Sequence, residues 1–561
     1  MRDLSNQVLT DDARSSTNFF KSDHIFRHYL RKHVPDSVLE YMAPKLERVG
    51  QQAATRMNPL SLKADQQRPE LKKRTKFGET INAVQFHPAY WKLMDIAAES
   101  EMFYVKYNPE LRERFEGNRH ALGFAAGQLY GMSEIGVYCP LCMTDGVAHL
   151  VDQYAPEDIR KRLLPKLSAC KGALLNTGAM FLTEKSGGSD VGRNIATADK
   201  VSGRKYKLNG EKWFCSNVNA EVIMALARTG NAEDGTRGLS LFLVEKELPD
   251  GSRNPMNIIR LKEKLGVRSM ATGEVELEDT IGIRLGEENR GFKVMTEMIN
   301  ISRIYNAVGA VAGIRRAIIE SYEYLNHRIT FGKKAVEHAL IRQKFHEIGS
   351  LYLSDFLLTW RAIRAMDSAE QGNQKEKELL RTLIPMAKWS SAEQAVYIVR
   401  ECMELMGGNG YIEDFVMPKL LRDINVLPIW EGSGNIIVLD ILRATQKSEG
   451  LDIIIDKIRG TAERSQNYGS LMQDKLDKIL AVWKELNDTD DREVVESTAK
   501  PLFEELIHLY QMALMIEERD GQSEAWIDPA MDYMASELDD TLKIKNAPDL
   551  DIIQNLIGWK Y

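Results

Sequence analysis

The sequence predicts an α+β protein that is mainly helical. It divides into an N-terminal α domain over 1–178, a small central β domain over 179–285, a C-terminal four-helix bundle over 286–445 and a helical extension over 446–561. Three observations carry this prediction. Apolar residues recur at three- and four-residue spacing on both sides of a central stretch, as in Met42, Leu46 and Val49 and again in Ile341, Phe345, Ile348, Tyr352 and Phe356. That is the period of a helix buried along one face. Between these regions, Val222–Ala227, Leu239–Val244 and Glu274–Glu278 are short, bounded and β-like. A chain of 561 residues is also too long for one core, so several units are expected.

In chain order, Pro35 and Asp36 look like a helix start, Gly117 and Gly123 punctuate the later part of the first region, and Asp145 is a candidate start for another helix. From 179 the texture changes. Gly187-Gly188-Ser189-Asp190 is loop chemistry, and Asn209-Gly210 signals a hairpin because both residues tolerate positive φ. Helical texture returns after Gly291, in the long segments expected of a helix bundle. Gly407 to Gly410 and Pro428 to Gly434 break it, and in the extension Pro501 marks a helix start. No internal repeat and no low-complexity tract is present.

Composition sets the class. An apolar fraction of 43% and a charged fraction of 28% are those of an ordinary soluble protein. No apolar run is long enough for a membrane span, and the polar start Met1 to Asn6 has no signal-peptide core, so a cytoplasmic address is expected. Five cysteines suit a reducing compartment rather than a disulfide framework. Cys139 and Cys142 form a C-x-x-C, but no second pair or histidine pair lies at ligand spacing, so they read as small core residues and no metal site is expected. A net charge of −7 argues against a nucleic-acid binder.

Four motifs sit in order along the chain. They are Leu182-Thr183-Glu184-Lys185-Ser186-Gly187-Gly188-Ser189-Asp190; Asn209 through Trp213-Phe214-Cys215-Ser216-Asn217; His327-Arg328-Ile329-Thr330-Phe331-Gly332; and Met406-Gly407-Gly408-Asn409-Gly410-Tyr411 through Arg422-Asp423 to Ile429-Trp430-Glu431-Gly432-Ser433. Together they resemble the acyl-CoA dehydrogenase flavoproteins. Phe86 to Trp91, Glu134 to Thr144, the Trp430 to Asn435 run and the extension resemble the AidB-like branch of that family.

The resemblance implies FAD as cofactor and an acyl-CoA thioester as substrate, with removal of an α-proton and a β-hydride. It implies Glu431 as the base and Arg303 as an organiser of the active site. A carboxylate in a loop at a helix junction suits a base, because desolvation raises its pKa. The bland alternative is a solvated loop glutamate. Some members place the base just before the arginine of the first bundle helix, where this chain has Ser302. The flavin-holding set implied is Met180, Leu182, Thr183, Gly188, Ser189, Phe214 and Ser216. Arg328, Thr330, Phe331, Glu404, Gly407, Gly408, Ser433 and Asn435 complete it, with Arg328, Thr330 and Phe331 reaching the FAD of a neighbouring subunit. Two departures are Ala339 and Glu404, where glutamine is common. Without the resemblance, Gly-Gly-Ser-Asp is ordinary turn chemistry.

A shared site implies a homo-oligomer, usually a homotetramer built as a dimer of dimers, and an electron-transfer flavoprotein as acceptor. The alternative is an AidB-like flavoprotein with a nucleic-acid-protective or lipid-binding role and little turnover. Arg443 matches a DNA-proximal arginine, but residues 451–561 hold 12 Lys/Arg against 24 Asp/Glu, which opposes contact with phosphates or anionic lipids.

Overall fold

The computed structural model describes residues 18–539 and 548–559. The chain packs into two compact units. One contains residues 56–115 and 133–305; the other contains the described residues of 18–55, 116–132 and from 306 onward.

The 56–115/133–305 unit holds all the large strands. A first hairpin, β1 (Glu70–Arg74) with β2 (Thr80–Gln85), lies inside the region expected to be helical. The two strands are mostly exposed, so they lack the buried alternating face that would have betrayed them. Thr75 closes the turn by accepting Phe77 N–H and Glu79 N–H on its hydroxyl, and Gly78 takes φ +89°.

The main sheet has seven strands: β3 (Gly178–Phe181), β4 (Thr197–Ser202), β5 (Lys205–Ser216), β6 (Val222–Arg228), β7 (Leu239–Glu245), β8 (Met256–Leu261) and β9 (Thr272–Leu285). Pairings β4–β5, β5–β9, β9–β7 and β7–β6 are antiparallel, and the single Thr197–Arg228 pair between β4 and β6 closes the circuit. β3 runs parallel beside β6, and β8 lies on β9.

The expected hairpin at Asn209-Gly210 is not there. β5 runs straight through it, and the turn falls earlier, between Ser202 and Lys205, with Gly203 at φ +51°. Gly210 instead marks a bulge. Its pairing with β9 skips a residue, its φ is +132°, and a Cβ there would stand 2.8 Å from Ala196. The Asn209 side chain accepts the Asp279 N–H at 2.7 Å across the irregular step.

Asp145 does not start a helix. It lies in the middle of Tyr138–Tyr154, fully buried, where it pairs with buried Lys106 and accepts the hydroxyls of Tyr107 at 2.6 Å and Tyr305 at 2.8 Å. Burial pushes the Tyr305 phenol well above its ordinary pKa, so it stays a donor. Ahead of the helix, the Glu134 carboxylate accepts Val137 N–H at 2.9 Å and the hydroxyls of Ser269 and Ser61.

The other unit is helical. Ala339–Glu370 and Gln374–Leu405 are its longest complete helices, joined by the 306–327 part of Gly291–His327 and by the shorter Met417–Ile424 and Gly434–Thr445. Phe26 and Tyr29 from helix His24–His33 meet Phe356 and Trp360 at centroid separations of 5.2–6.2 Å. Buried Arg315 bonds Asp23 at 2.7 Å and the carbonyl of Ile557, tying early and late chain to the bundle.

The extension packs on the bundle as helices Gly450–Arg464, Gly469–Asn487, Arg492–Glu518, Glu524–Leu538 and Leu550–Ile557. Pro501 is interior to Arg492–Glu518. That helix starts at Asp491, whose carboxylate caps Glu493 N–H and Val494 N–H. Gly123, likewise, lies within helix Arg119–Gly131 rather than between helices. Among the described residues no helix is long and apolar enough to cross a membrane.

Candidate functional site

The candidate residues divide between the two units. In the strand-bearing unit, β3 delivers Met180 and leads into Leu182 and Thr183. The loop that follows is fastened at its root. Buried Glu184 accepts Lys212 Nζ at 2.6 Å on one oxygen and Ile195 N–H at 2.6 Å on the other, and Lys212 has no exposed surface. Trp213 N–H donates to the Thr183 carbonyl at 2.9 Å, and Asn194 Nδ2 donates to the Leu182 carbonyl at 2.7 Å. Gly187 and Glu184 exchange backbone hydrogen bonds, which leaves Gly188 and Ser189 exposed at the loop tip.

Lys212 stands on the same strand as Phe214 and Ser216, so the first and second motifs meet through one buried ion pair. Phe214 is 58% exposed, a large apolar ring presented outward. Lys262 Nζ lies 3.3 Å from the Trp213 ring centroid and 4.9 Å from that of Phe214, while bonding Glu274 at 2.6 Å. Ser216 shares a hydrogen bond with Thr272 at 3.2 Å. Arg303 is buried in Gly291–His327, and its neighbour Ser302 is buried without a hydrogen-bond partner for its hydroxyl among the described residues.

In the helical unit, Arg328, Thr330 and Phe331 lie on the turn after Gly291–His327, where Phe331 adopts φ +49° and is 98% exposed. Thr330 Oγ1 meets His338 Nε2 at 3.0 Å. Arg328 and Asn409 both donate to the Tyr324 hydroxyl, at 3.3 and 2.9 Å, which places the third motif beside Gly407 and Gly408. Gly407 takes φ +62°, and a Cβ built on Gly408 would meet nothing within 4 Å. Both glycines are exposed, so the backbone there is open to close approach. Glu404 is exposed and pairs with Arg400 at 2.5 Å.

Glu431 is half-buried at the end of the 425–433 connection between Met417–Ile424 and Gly434–Thr445, with φ +59°. Ser433 stands at the N-cap position of Gly434–Thr445 with its side chain making no cap bond, and both it and Asn435 are exposed. Lys388, buried in Gln374–Leu405, donates to the Gly432 carbonyl at 2.7 Å and the Pro428 carbonyl at 3.3 Å.

Sequence reasoning missed Lys212, Lys262 and Lys388. Lys212 lies inside a quoted motif, whereas Lys262 and Lys388 had no local signal. A further group, His120, Asp367 and Glu370, has ligand atoms within 4.8 Å of one another. Its carboxylates are already engaged: Asp367 accepts the His120 and Ala121 N–H groups, and Glu370 pairs with Arg119 and His120.

Family models match along most of the chain. The AidB N-terminal domain of adaptive response proteins matches residues 7–171, the acyl-CoA dehydrogenase middle domain 179–280 and the acyl-CoA dehydrogenase C-terminal domain 289–446. Acyl-CoA dehydrogenase family member 11 of Caenorhabditis elegans is 31% identical over 512 residues, covering 90% of this chain and 80% of that protein. AidB of Escherichia coli is 33% identical over 415 residues, covering 72% and 74%. Among solved structures, C. elegans ACDH-11 in complex with C11-CoA superposes with a TM-score of 0.85 at 27% identity, covering 95% and 93% of the two chains. Bd2924 in its apo form gives 0.82 at 30% identity, covering 90% and 98%. The chain therefore belongs to the acyl-CoA dehydrogenase family, with an AidB-type N-terminal domain, and is an FAD-dependent oxidoreductase acting on acyl-CoA.

Proposed function

We propose that this chain oxidises the Cα–Cβ bond of an acyl-CoA thioester, with Glu431 as the base that removes the α-proton. The observation that carries the reading is Glu431 itself: a half-buried carboxylate held at φ +59° in a connection whose flanking carbonyls are fixed by a buried lysine. A left-handed glutamate is strained, and such strain persists where the surroundings impose it. The backbone N–H of Glu431 is suited to steady the thioester oxygen as charge develops there. Ser302, one residue before Arg303, is a hydroxyl and has no basicity to offer in the alternative position.

The residues present fit FAD. Thr183 and Ser189 sit on a loop fastened by Glu184 and Lys212, Phe214 offers an outward ring, and Gly408 leaves room that a side chain would fill. When bound, FAD supplies the acceptor for the β-hydride. Met180, Leu182, Thr183, Gly188, Ser189, Phe214 and Ser216 would hold the ring end. Arg328, Thr330, Phe331, Glu404, Gly407, Gly408, Ser433 and Asn435 would hold the nucleotide end, in part from a neighbouring subunit. The 98% exposure of Phe331 supports a homotetramer in which that ring is covered. We assign an electron-transfer flavoprotein as acceptor, fatty acid metabolism as the setting, and the cytosol as the address, since five sparse cysteines suit a reducing compartment.

The reading is tested by incubating purified protein with acyl-CoAs of graded length and branching, beginning near the C11 chain carried by the C. elegans relative. The expected product is the 2-enoyl-CoA, seen by mass spectrometry as a loss of two hydrogens. Bound FAD with no dehydrogenated product from any thioester would overturn it.

A further inference from the structure

We infer that Lys388 is a positioning residue that aims Glu431, an inference that rests on the reading of Glu431 as the base. The 425–433 connection begins with a run of local backbone hydrogen bonds. Leu427 N–H, Ile429 N–H and Trp430 N–H donate back to Ile424, Val426 and Val426 carbonyls, at 3.0, 3.0 and 2.9 Å. Beyond Trp430 the chain enters two consecutive left-handed residues, Glu431 at φ +59° and Gly432 at φ +105°. Glycine adopts that region freely, but a glutamate does so only against a steric cost. Something outside the connection must hold it there.

Lys388 is that element. It lies on helix Gln374–Leu405 with 1% of its surface exposed, which is rare for a lysine. Its ammonium donates to the Gly432 carbonyl at 2.7 Å and to the Pro428 carbonyl at 3.3 Å. These two acceptors bracket Ile429, Trp430 and Glu431. An ammonium has three donors, and its bonds to carbonyls are charge-assisted, so the two carbonyls flanking this three-residue stretch are clamped from a single helix. The Asn306 side chain adds a third restraint by donating to the Leu427 carbonyl at 3.0 Å. The direction in which the Glu431 carboxylate leaves the backbone is thereby fixed. Lys388 acts through the peptide groups around the base and has no part in the reaction itself.

The test measures anaerobic flavin reduction by stopped flow, on the FAD-loaded enzyme, with an acyl-CoA that the wild type oxidises. In Lys388→Met the rate at saturating thioester is expected to fall about 100-fold, the scale of a misplaced catalytic group. The thioester concentration giving half-maximal rate and the visible flavin spectrum are expected to stay within about twofold, because neither depends on the aim of the base. Lys388→Arg keeps a cationic donor and is expected to recover most of the rate. Lys388→Gln keeps an uncharged donor and carries the test if the methionine variant does not fold. Wild-type rates in the methionine or glutamine variant overturn the inference, as does a loss confined to half-saturation. Glu431→Gln is run beside them. If it is slow while the Lys388 variants are fast, only the positioning role is lost. If it reduces flavin at the wild-type rate, the base assignment falls and this inference falls with it.

Discussion

Asp355 offers a sharp test of how the extension is joined to the bundle. Its carboxyl is fully buried on helix Ala339–Glu370. One oxygen accepts Ser390 Oγ at 2.6 Å and Gln511 Nε2 at 2.8 Å, Gln511 belonging to the extension. The other oxygen has no hydrogen-bond partner among the described residues. Burial pushes this carboxyl up to about 7, against the opposing pull of the Ser390 and Gln511 bonds. The unfolded carboxyl ionises near its ordinary value of 3.8. Between those two values the unfolded chain has released a proton that the folded chain retains, so stability falls as pH rises through the window and is level above it. The whole window corresponds to about 4 kcal/mol, of which about 2 kcal/mol develops between pH 5 and pH 7.

Asp355→Asn removes that dependence at the cost of an amide N–H facing the unpartnered side, about 1–3 kcal/mol. The variant should therefore gain about 3 kcal/mol relative to wild type on going from pH 5 to pH 8. The assay is the difference in thermal unfolding midpoint between variant and wild type, at pH 5 and at pH 8, at a fixed heating rate. Other titrating groups are common to both proteins and cancel. The variant's midpoint should rise by several degrees relative to wild type at pH 8. An equal difference at both pH values would refute the reasoning, because the buried carboxyl would then not be carrying a raised pKa.

Two further outcomes follow from buried charge. Glu184→Gln loses the charge-assisted bond to Lys212 and unsettles the loop carrying Thr183 and Ser189. Losing about 1.5–3 kcal/mol there should weaken FAD about ten- to 100-fold, measured by titrating apoprotein with the cofactor. Lys106→Met leaves the buried Asp145 carboxylate without its ammonium partner, which should cost about 3–5 kcal/mol in unfolding experiments. Lys106→Met/Asp145→Asn, which removes both charges, should recover most of that loss.

Much of the fold was legible because long helices repeat their buried face many times. Ile341 through Phe356 covers four turns, and local exceptions do not erase such a pattern. The β stretches at Val222 and Leu239 were legible because both are buried apolar runs between turn residues. What failed was local chemistry with two structural uses. Asn209-Gly210 supports a bulge as well as a turn, and only the approach of Ala196 selects the bulge. Asp145 resembles a cap in sequence but is a buried acceptor, because Lys106, 39 residues away, and Tyr305, 160 residues away, reach it. Pro501 sits in a helix interior whose start is fixed by Asp491. The β1–β2 hairpin carries its information in exposed residues, which have no periodic signature.

The candidate site divides in the same way. Thr183, Ser189, Gly407 and Glu431 were singled out through the resemblance of four ordered motifs, since each loop taken alone is ordinary turn chemistry. The lysines that hold those loops were not. Lys388 is one charged residue in a long helix, and nothing nearby in sequence distinguishes it from a solvent-facing neighbour. The Pro428 and Gly432 carbonyls that it bonds lie 40 and 44 residues further on.

Removal of the α-proton by Glu431 is decided by anaerobic bleaching of the bound flavin by an acyl-CoA substrate, compared between wild type and Glu431→Gln. The variant should hold FAD with an unchanged spectrum and bind the thioester, yet bleach about 10²–10⁴-fold more slowly, the usual contribution of a positioned general base. Bleaching at the wild-type rate in Glu431→Gln would contradict the assignment and place the base elsewhere in the chain.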